Sequence, residues 1–498
     1  MRKTLDDCLS RLLEAGLVTE KYIEDGTKDV QQLSYNSGEN QENGLFICKG
    51  EAFKEAYLQA AIKKGAICYI SETVYPDVDA AYVIVTDIRE TMAVLANMFY
   101  EEAWKAFDLL GITGTKGKTT TAFLLKRILD EASDKETGVL SSVTNYVGGE
   151  REVSHLTTPE TLDLHRYFVE ARENGLSRLT MEVSSQALKY ARVGGITFSV
   201  AAFLNIGTDH ISPREHKDFE DYFASKLKIF ENCQVACVNL DADHAERILE
   251  AAKQAKRTVT FGQTAEADVY AYDIKSDMTG TTFSVRTDRF EETFRLNMPG
   301  LFNVENALCA IAVAYILGIP GSVIRSGLEK AHVHGRMECF QGVNAKGKSI
   351  DVIVDFAHNR MSFETLFRDA AKRYKGKRIS IVFGSVGEKA FDRRRDLAEV
   401  SGRYADRIIL TEDDPGKEDV TSICREMASF IPERKEAVTI EVDREKACIM
   451  ALDGAMDGDL VILAGRGREP EQKRKDGYVA VRTDVEIVED YFAQNAEK

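Results

Sequence analysis

Short apolar runs punctuate the first part of the chain, at Leu45–Cys48, Ala66–Ile70 and Tyr82–Val85, and predict strands mixed with short helices over residues 1 to about 106. From Phe107 the pattern changes to strand, loop and helix in turn. Phe107–Ile112 reads as a strand followed by a helix from about Lys118, Arg178–Val183 as another strand, and Val200–Ile206 as a third followed by a helix from about Phe219. Gly300–Leu317, small and apolar, predicts one tightly packed helix; helical character ends around His332–Glu338, with Gly335 as a hinge. A second set of strands follows at Asp351–Phe356, Arg378–Phe383, Arg407–Leu410 and Asp459–Leu463, separated by helical segments. These runs are apolar almost without alternation, as in strands covered on both faces, so the predicted class is α/β with parallel sheets. The pattern changes divide the chain into domains over 1–106, 107–334 and 335–498.

Composition narrows this picture. The 498 residues match about three domains at roughly 100–200 residues each. Lys and Arg number 65 against 81 Asp and Glu, a net charge of −16, which excludes nonspecific binding to nucleic acid or anionic lipid. A polyanionic ligand must therefore meet locally placed cations and backbone N–H groups. The longest apolar stretch, Ala307 to Ile319, falls short of the ~18–20 residues of a bilayer span, and the start, MRKTLDDCLSRLLEAG, carries acids and no apolar export signal. Nine cysteines without a CxxC pair suit reduced thiols rather than disulfides or zinc. The expectation is a soluble cytoplasmic protein, monomeric and without membrane insertion.

In open parallel sheets ligands sit beyond the carboxyl ends of the strands, and polar, Gly-rich segments follow each predicted strand. Gly114-Thr115-Lys116-Gly117-Lys118-Thr119-Thr120 lies between a strand and a helix, the context of a phosphate loop. Its glycines admit phosphate oxygens to the backbone, Lys118 would neutralise β- and γ-phosphate charge, and the Thr119 hydroxyl would ligate Mg²⁺. The common form has a further glycine at position 112, which is Ile here, so this is a shortened variant; the alternative is a Gly-rich turn that binds nothing. Glu182 ends LTMEV, where a hard carboxylate can hold Mg²⁺ directly or through water, and Asp209-His210 stands just past AAFLNI as a further ligand. Lys226 shares a helix face with Phe219, Tyr222, Phe223, Leu227 and Phe230, whereas Lys228 does not. A cation there must snorkel, find an acid or lose its charge, and the pattern alone favours a salt bridge at the core edge.

With these residues placed, the chain resembles the Mur ligase family, and within it the MurE-type branch. GTKGKTT, TTPETLDL, MEVSSQAL, the DH with its downstream SK, PGLFNVENAL, GRME, DFAHN and AGRGRE stand in the family's order and span essentially the whole chain. The resemblance implies an N-terminal domain holding the UDP part of a substrate, a central P-loop ATPase and a C-terminal Rossmann-like domain. It implies ATP-dependent amide formation in peptidoglycan precursor synthesis. The γ-phosphate passes to the terminal carboxylate of UDP-N-acetylmuramoyl-L-alanyl-D-glutamate, and a diamino acid then displaces phosphate from the acyl phosphate. Two anions at ~4 Å repel by about 4 kcal/mol at an effective dielectric near 20, hence the need for Mg²⁺ and Lys118. By the same resemblance Lys226 is carbamylated by CO₂ and joins Thr119, Glu182 and His210 as a metal ligand. Asn303 and Asn306 serve the adenine side of ATP, and Arg336, Asp355 and His358 its ribose and phosphates. Ser37 serves the UDP region, and Thr157, Thr158, Ser184 and Arg192 the muramoyl-peptide. Read singly, Thr157-Thr158-Pro159 is a turn, Ser184-Ser185 and the asparagines are helix caps, and Asp355 and His358 are loop anchors. The family commonly has Pro two residues after the His of DFAH, where this chain has Arg360.

Arg394, in a run that alone reads as a solvated basic patch, matches the clamp for the incoming α-carboxylate. Enzymes of the family that add meso-diaminopimelate carry Asp-Asn-Pro-Arg; here Asp413-Asp414-Pro415-Gly416 lacks the Arg and gains an acid. Asp413, Asp414 and Glu469, near Gly465, are then the partners of a distal ammonium, which favours L-lysine over meso-diaminopimelate and leaves L-ornithine as a competitor. Lys417 stands one residue from the missing Arg. Folylpolyglutamate synthase is the nearest rival among enzymes, a P-loop GTPase lacks its NKxD base reader here, and a non-catalytic scaffold would not keep Lys118, Thr119, Glu182, His210 and Lys226 together.

Overall fold

The computed structural model describes residues 3–50, 53–209, 211–212, 215–277, 280–298, 300–331 and 337–495. His210, Gly335 and Arg336 lie outside the described residues. The chain forms two compact units, residues 1–206, 215–261 and 311–319, and residues 207–214, 262–310 and 320–498.

In the first unit, helix Leu5–Glu14 begins on a Thr4–Asp7 capping box and buries Leu5, Cys8, Leu9 and Leu12, the i, i+3, i+4, i+7 stripe. That stripe packs with helix Ile88–Phe99 on a sheet of β1 (Val18–Tyr22), β2 (Gln32–Ser34), β3 (Gly44–Ile47), β4 (Ala66–Ser71) and β5 (Ala81–Val85). The order is β1-β5-β4-β3-β2, with only β1 antiparallel to its neighbour.

The same unit holds β6 (Asp108–Thr113), β7 (Gly138–Leu140), β8 (Thr144–Tyr146), β9 (Glu152–Val153), β10 (Arg178–Glu182), β11 (Phe198–Phe203), β12 (Cys233–Asn239) and β13 (Arg257–Gly262). They run β13-β12-β11-β6-β10-β7-β8-β9, parallel from β13 to β7 and antiparallel beyond. Register sets Glu182 opposite Ile112 and Phe203 opposite Thr113, so three adjacent strands end at one edge. The strand expected at Val200–Ile206 starts earlier and stops at Phe203, because Asn205 turns to bond the loop after β6.

The second unit contains β14 (Val269–Asp277), β15 (Gly280–Arg286) and β16 (Glu291–Leu296), an antiparallel set. Here the burial alternates at Thr281, Phe283 and Val285, a period-two signal that the search for continuous apolar runs passes over. The expected helix at Gly300–Leu317 forms as Phe302–Ile316. The second α/β set forms β17 (Glu338–Val343), β18 (Ser349–Asp355), β19 (Ile379–Phe383), β20 (Arg407–Leu410), β21 (Val438–Ile440) and β22 (Leu460–Ala464). Their order is β17-β18-β22-β19-β20-β21, antiparallel only at β17. A hairpin of β23 (Glu471–Arg474) and β24 (Gly477–Ala480) follows. All nine cysteines are free thiols, and no helix among the described residues is long and apolar enough to cross a membrane.

His165, on helix Thr161–Glu173, is buried with its ring centroid 6.1 Å from that of Tyr100 and 5.5 Å from that of Phe168, and neither ring nitrogen has a hydrogen-bond partner. Burial lowers its pKa from 6.5 to about 3. Between those values the unfolded chain binds the extra proton, so this group removes about 1.4 kcal/mol of stability per unit as pH falls below 6.5. Replacing His165 with Phe is expected to flatten the pH dependence of stability over that window, read from urea midpoints at stepped pH.

Candidate functional site

The loop after β6 runs from Gly114 into the start of a helix at Lys118. Gly114 has φ +156, and a Cβ there would come within 2.9 Å of Leu204 Cβ; Gly117, at φ +84, leads into helix Lys118–Glu131. Asn205 clamps the loop from β11: its Oδ1 accepts from Lys116 N at 2.9 Å, and its Nδ2 donates to Lys116 O at 3.2 Å. Tyr222 holds it from the other side through a 3.0 Å bond to Thr115 Oγ1. Thr119 and Thr120 lie buried in the first turn of the helix.

Both lysines singled out by sequence converge on this loop. Lys118 Nζ donates to Gly114 O at 2.9 Å and Thr115 O at 3.4 Å. Lys226 Nζ also donates to Gly114 O at 2.9 Å, lies 3.5 Å from Thr113 Oγ1 and sits 4.9 Å over the Tyr222 ring. Lys226 is 1% exposed, so it stands in the interior beside the Gly114–Thr120 loop rather than at the edge of the core.

Glu182, 1% exposed, accepts from Ser142 N at 2.9 Å and Ser142 Oγ at 3.3 Å. Ser142 Oγ in turn lies 3.0 Å from Thr119 Oγ1. Two hydroxyls and a buried carboxylate are hard oxygen donors, a set that fits Mg²⁺. Among the described residues, which do not include His210, no three His, Cys, Asp or Glu side chains gather at one metal site.

Thr158, Ser184 and Arg192 form one network beside Glu182. Thr158 Oγ1 donates to Glu182 O at 2.9 Å and accepts from Ser184 N at 3.0 Å, and Arg192 donates to Thr158 O at 3.0 Å. Ser184 also caps helix Ser185–Lys189, so both of its readings hold together. Thr157 is half-buried just before this network, and Ser37 is half-buried in a turn after β2. Sequence reasoning missed Glu160, whose carboxylate pairs with Arg192 at 2.7 Å, Arg89 at 3.4 Å and Lys49. Burial opposes the charge on Glu160, but Arg192, Lys49 and Arg89 outweigh it and hold the carboxyl below its usual range. Three cations around one carboxylate leave this corner locally positive in an acidic protein.

In the second unit, Asn303 and Asn306 lie buried at the start of helix Phe302–Ile316, Asn306 donating to Asn303 at 3.2 Å. Asp355 ends β18 and accepts from Met337 N at 2.7 Å and Ala357 N at 2.8 Å, a loop anchor by geometry. His358 Nδ1 lies 2.8 Å from Phe356 O. Asp209 accepts from Asn359 Nδ2 at 2.8 Å. Arg360 is the first residue of helix Arg360–Arg373, a position whose N–H needs no partner, which is why Pro and Arg are interchangeable there. Its side chain bonds Asp396 at 2.7 Å and Glu399 at 3.1 Å.

Arg394 is 3% exposed rather than solvated, and pairs with Glu426 at 2.6 Å and Glu418 at 2.8 Å. Asp413 and Asp414 follow β20, and Gly465 (φ +106) and Glu469 follow β22. A Cβ on Gly465 would lie 3.2 Å from Asp413 Oδ2. Gly416 has φ +57, a conformation that disfavours the Arg found there in the diaminopimelate motif, and Lys417 is exposed. The residue that sequence reasoning overlooked is Arg466, which faces Asp413, Asp414 and Glu469 together.

Comparison with known proteins places the chain among its relatives. The Mur ligase middle domain matches residues 112–314 and the Mur ligase glutamate ligase domain residues 335–467. The chain is 37% identical over 456 residues to the UDP-N-acetylmuramoyl-L-alanyl-D-glutamate–L-lysine ligase of Enterococcus faecalis, covering 90% of this chain and 89% of that protein. It is 34% identical over 497 residues to a UDP-N-acetylmuramyl-tripeptide synthetase of Ligilactobacillus salivarius, covering 96% of each. Among solved structures, a UDP-N-acetylmuramoyl-L-alanyl-D-glutamate–2,6-diaminopimelate ligase superposes with TM-score 0.67 at 22% identity over 100% of both chains. A Mycobacterium tuberculosis folylpolyglutamate synthase reaches 0.62 at 16% identity, over 76% of this chain and 92% of that one. These last two share the fold. Asn205→Ala, which removes two hydrogen bonds to the loop worth about 1 kcal/mol each, is expected to lower the melting temperature by a few degrees and to weaken binding of a nucleoside triphosphate roughly tenfold or more, measured by calorimetry well below that temperature.

Proposed function

The chain belongs to the Mur ligase family, and from that premise we propose that it is the ATP-dependent ligase joining L-lysine to UDP-N-acetylmuramoyl-L-alanyl-D-glutamate in cytoplasmic peptidoglycan precursor synthesis. The observation that carries this reading is the convergence, at the ends of β10, β6 and β11, of a phosphate loop, Glu182 and the Thr158–Ser184–Arg192 network. A triphosphate on that loop faces N–H donors and Lys118. The acceptor carboxylate, held through Thr158, Ser184 and Arg192, attacks the γ-phosphorus; the bond to the β–γ bridging oxygen breaks and ADP leaves. The lysine amine then attacks the acyl carbon, phosphate departs with the carboxylate-derived oxygen, and the nitrogen loses a proton.

Thr119, Ser142 and Glu182 would hold Mg²⁺, which supplies positive charge against the phosphates and the acceptor carboxylate. Lys226 belongs to the same site. Lys118 and Lys226 both donate to Gly114 O, so a carbamate on Lys226 would set a carboxylate beside Lys118 and the proposed metal. That argument supports a carbamate there, with His210 as a further ligand. We assign residues 1–106 to the UDP end of the acceptor, with Ser37, residues 107–334 to ATP and residues 335–498 to the amino acid, and we take the working unit as a monomer.

L-Lysine is favoured because the pocket carries Asp413, Asp414 and Glu469, and because position 416 does not carry the Arg that meets a distal carboxylate. Purified protein is expected to hydrolyse ATP only when acceptor and diamino acid are both present, with lysine outrunning meso-diaminopimelate; faster turnover with diaminopimelate overturns the specificity. Lys226→Ala is expected to lose most activity and to regain part of it with added formate or acetate. Lack of rescue by these short carboxylates counts against the carbamate.

A further inference from the structure

The acids assigned to the amino-acid pocket come from two loops and would repel each other if nothing held them. Asp413 and Asp414 follow β20, and Glu469 follows β22. Arg466 is 2% exposed, and one of its nitrogens, Nη1, lies 3.5 Å from Asp413, 2.7 Å from Asp414 and 3.3 Å from Glu469. Its other terminal nitrogen donates to Glu471 O, so the guanidinium also fixes the start of the hairpin. Asp414 Oδ1 accepts a second bond from Lys473 N at 3.0 Å.

Beneath this hub a second buried arginine ties the same two loops. Arg444 pairs with Asp484 through two 2.7 Å bonds, and donates to Glu412 O at 3.2 Å and Ala464 O at 2.9 Å. Asp484 also accepts from Gly467 N at 3.3 Å. The backbone on either side of the pocket is therefore fixed independently of Arg466, which leaves Arg466 to place the carboxylates themselves.

We infer that Arg466 is a positioning residue that assembles Asp413, Asp414 and Glu469 into a receptor for the distal ammonium of the incoming amino acid. This rests on the function proposed above. Burial pushes the Asp413 carboxyl above its usual range, but Asp414 and Glu469 against the one guanidinium already leave the pocket net negative, so it still attracts a cation and repels a distal carboxylate. Arg suits the task because its planar fork serves several acceptors at once, whereas a lysine ammonium is a point charge. The same occupancy keeps Arg466 from acting as a carboxylate reader, since a diaminopimelate carboxylate would have to displace Asp414 or Glu469 from it.

The test is steady-state kinetics of Arg466→Met and Arg466→Lys with each of the three substrates varied in turn. The Met variant is expected to raise the KM for L-lysine about tenfold or more, with KM for ATP and for the UDP-linked acceptor within about twofold of wild type. The Lys variant is expected to fall between, by restoring charge without the fork, and it carries the comparison alone if the Met variant does not accumulate folded. An unmoved lysine KM overturns the inference, as does a parallel loss in all three KM values with a lowered melting temperature, the mark of a purely structural role. A wild-type protein that incorporates no diamino acid would instead overturn the functional reading, which keeps the two failures apart.

Discussion

One backbone carbonyl receives two lysine ammonium groups. Gly114 O accepts from Lys118 and from Lys226, each at 2.9 Å, so this one peptide fixes where both lysines stand beside the loop. On the function proposed above, phosphate oxygens would meet both lysines at the loop, and a carbamate on Lys226 would face Lys118 with a carboxylate. Asn205 and Tyr222 lock the loop in the form that presents that carbonyl, so electrostatics and backbone geometry depend on each other.

Charge is handled in the same way elsewhere in the molecule. The chain is acidic overall, yet Lys49, Arg89 and Arg192 gather on the single carboxylate of Glu160, beside the residues proposed to hold the acceptor. In the second unit the sign reverses, and acids gather on the single guanidinium of Arg466. Each corner keeps an excess of one sign, positive where an anionic acceptor is proposed and negative where a diamino acid is. Buried counter-charges fix the geometry without cancelling the excess.

Much of this was legible in the sequence because continuous apolar strands and Gly-rich turns are local signals. The phosphate loop, Glu182 at the end of β10 and Lys226 on its helix follow from spacing alone. The antiparallel set at β14–β16 was not, since half-buried strands alternate and a search for continuous runs passes them by. The partners that complete the site were also hidden. Asn205, Ser142, Glu160 and Arg466 act through contacts between segments far apart in sequence, and nothing local marks them. Lys226 shows the limit from the other side: its helical spacing placed it on the apolar face, but only tertiary packing shows that it reaches Gly114.

The central claim is that a triphosphate on the Gly114–Thr120 loop activates an acid by phosphorylating it. Turnover with the terminal carboxylate of the UDP-linked acceptor enriched in heavy oxygen tests this directly. The account predicts that one labelled oxygen leaves in the inorganic phosphate, analysed by mass spectrometry, because the acyl–oxygen bond breaks when the amine attacks. Phosphate released without label, at full conversion to amide, would contradict it.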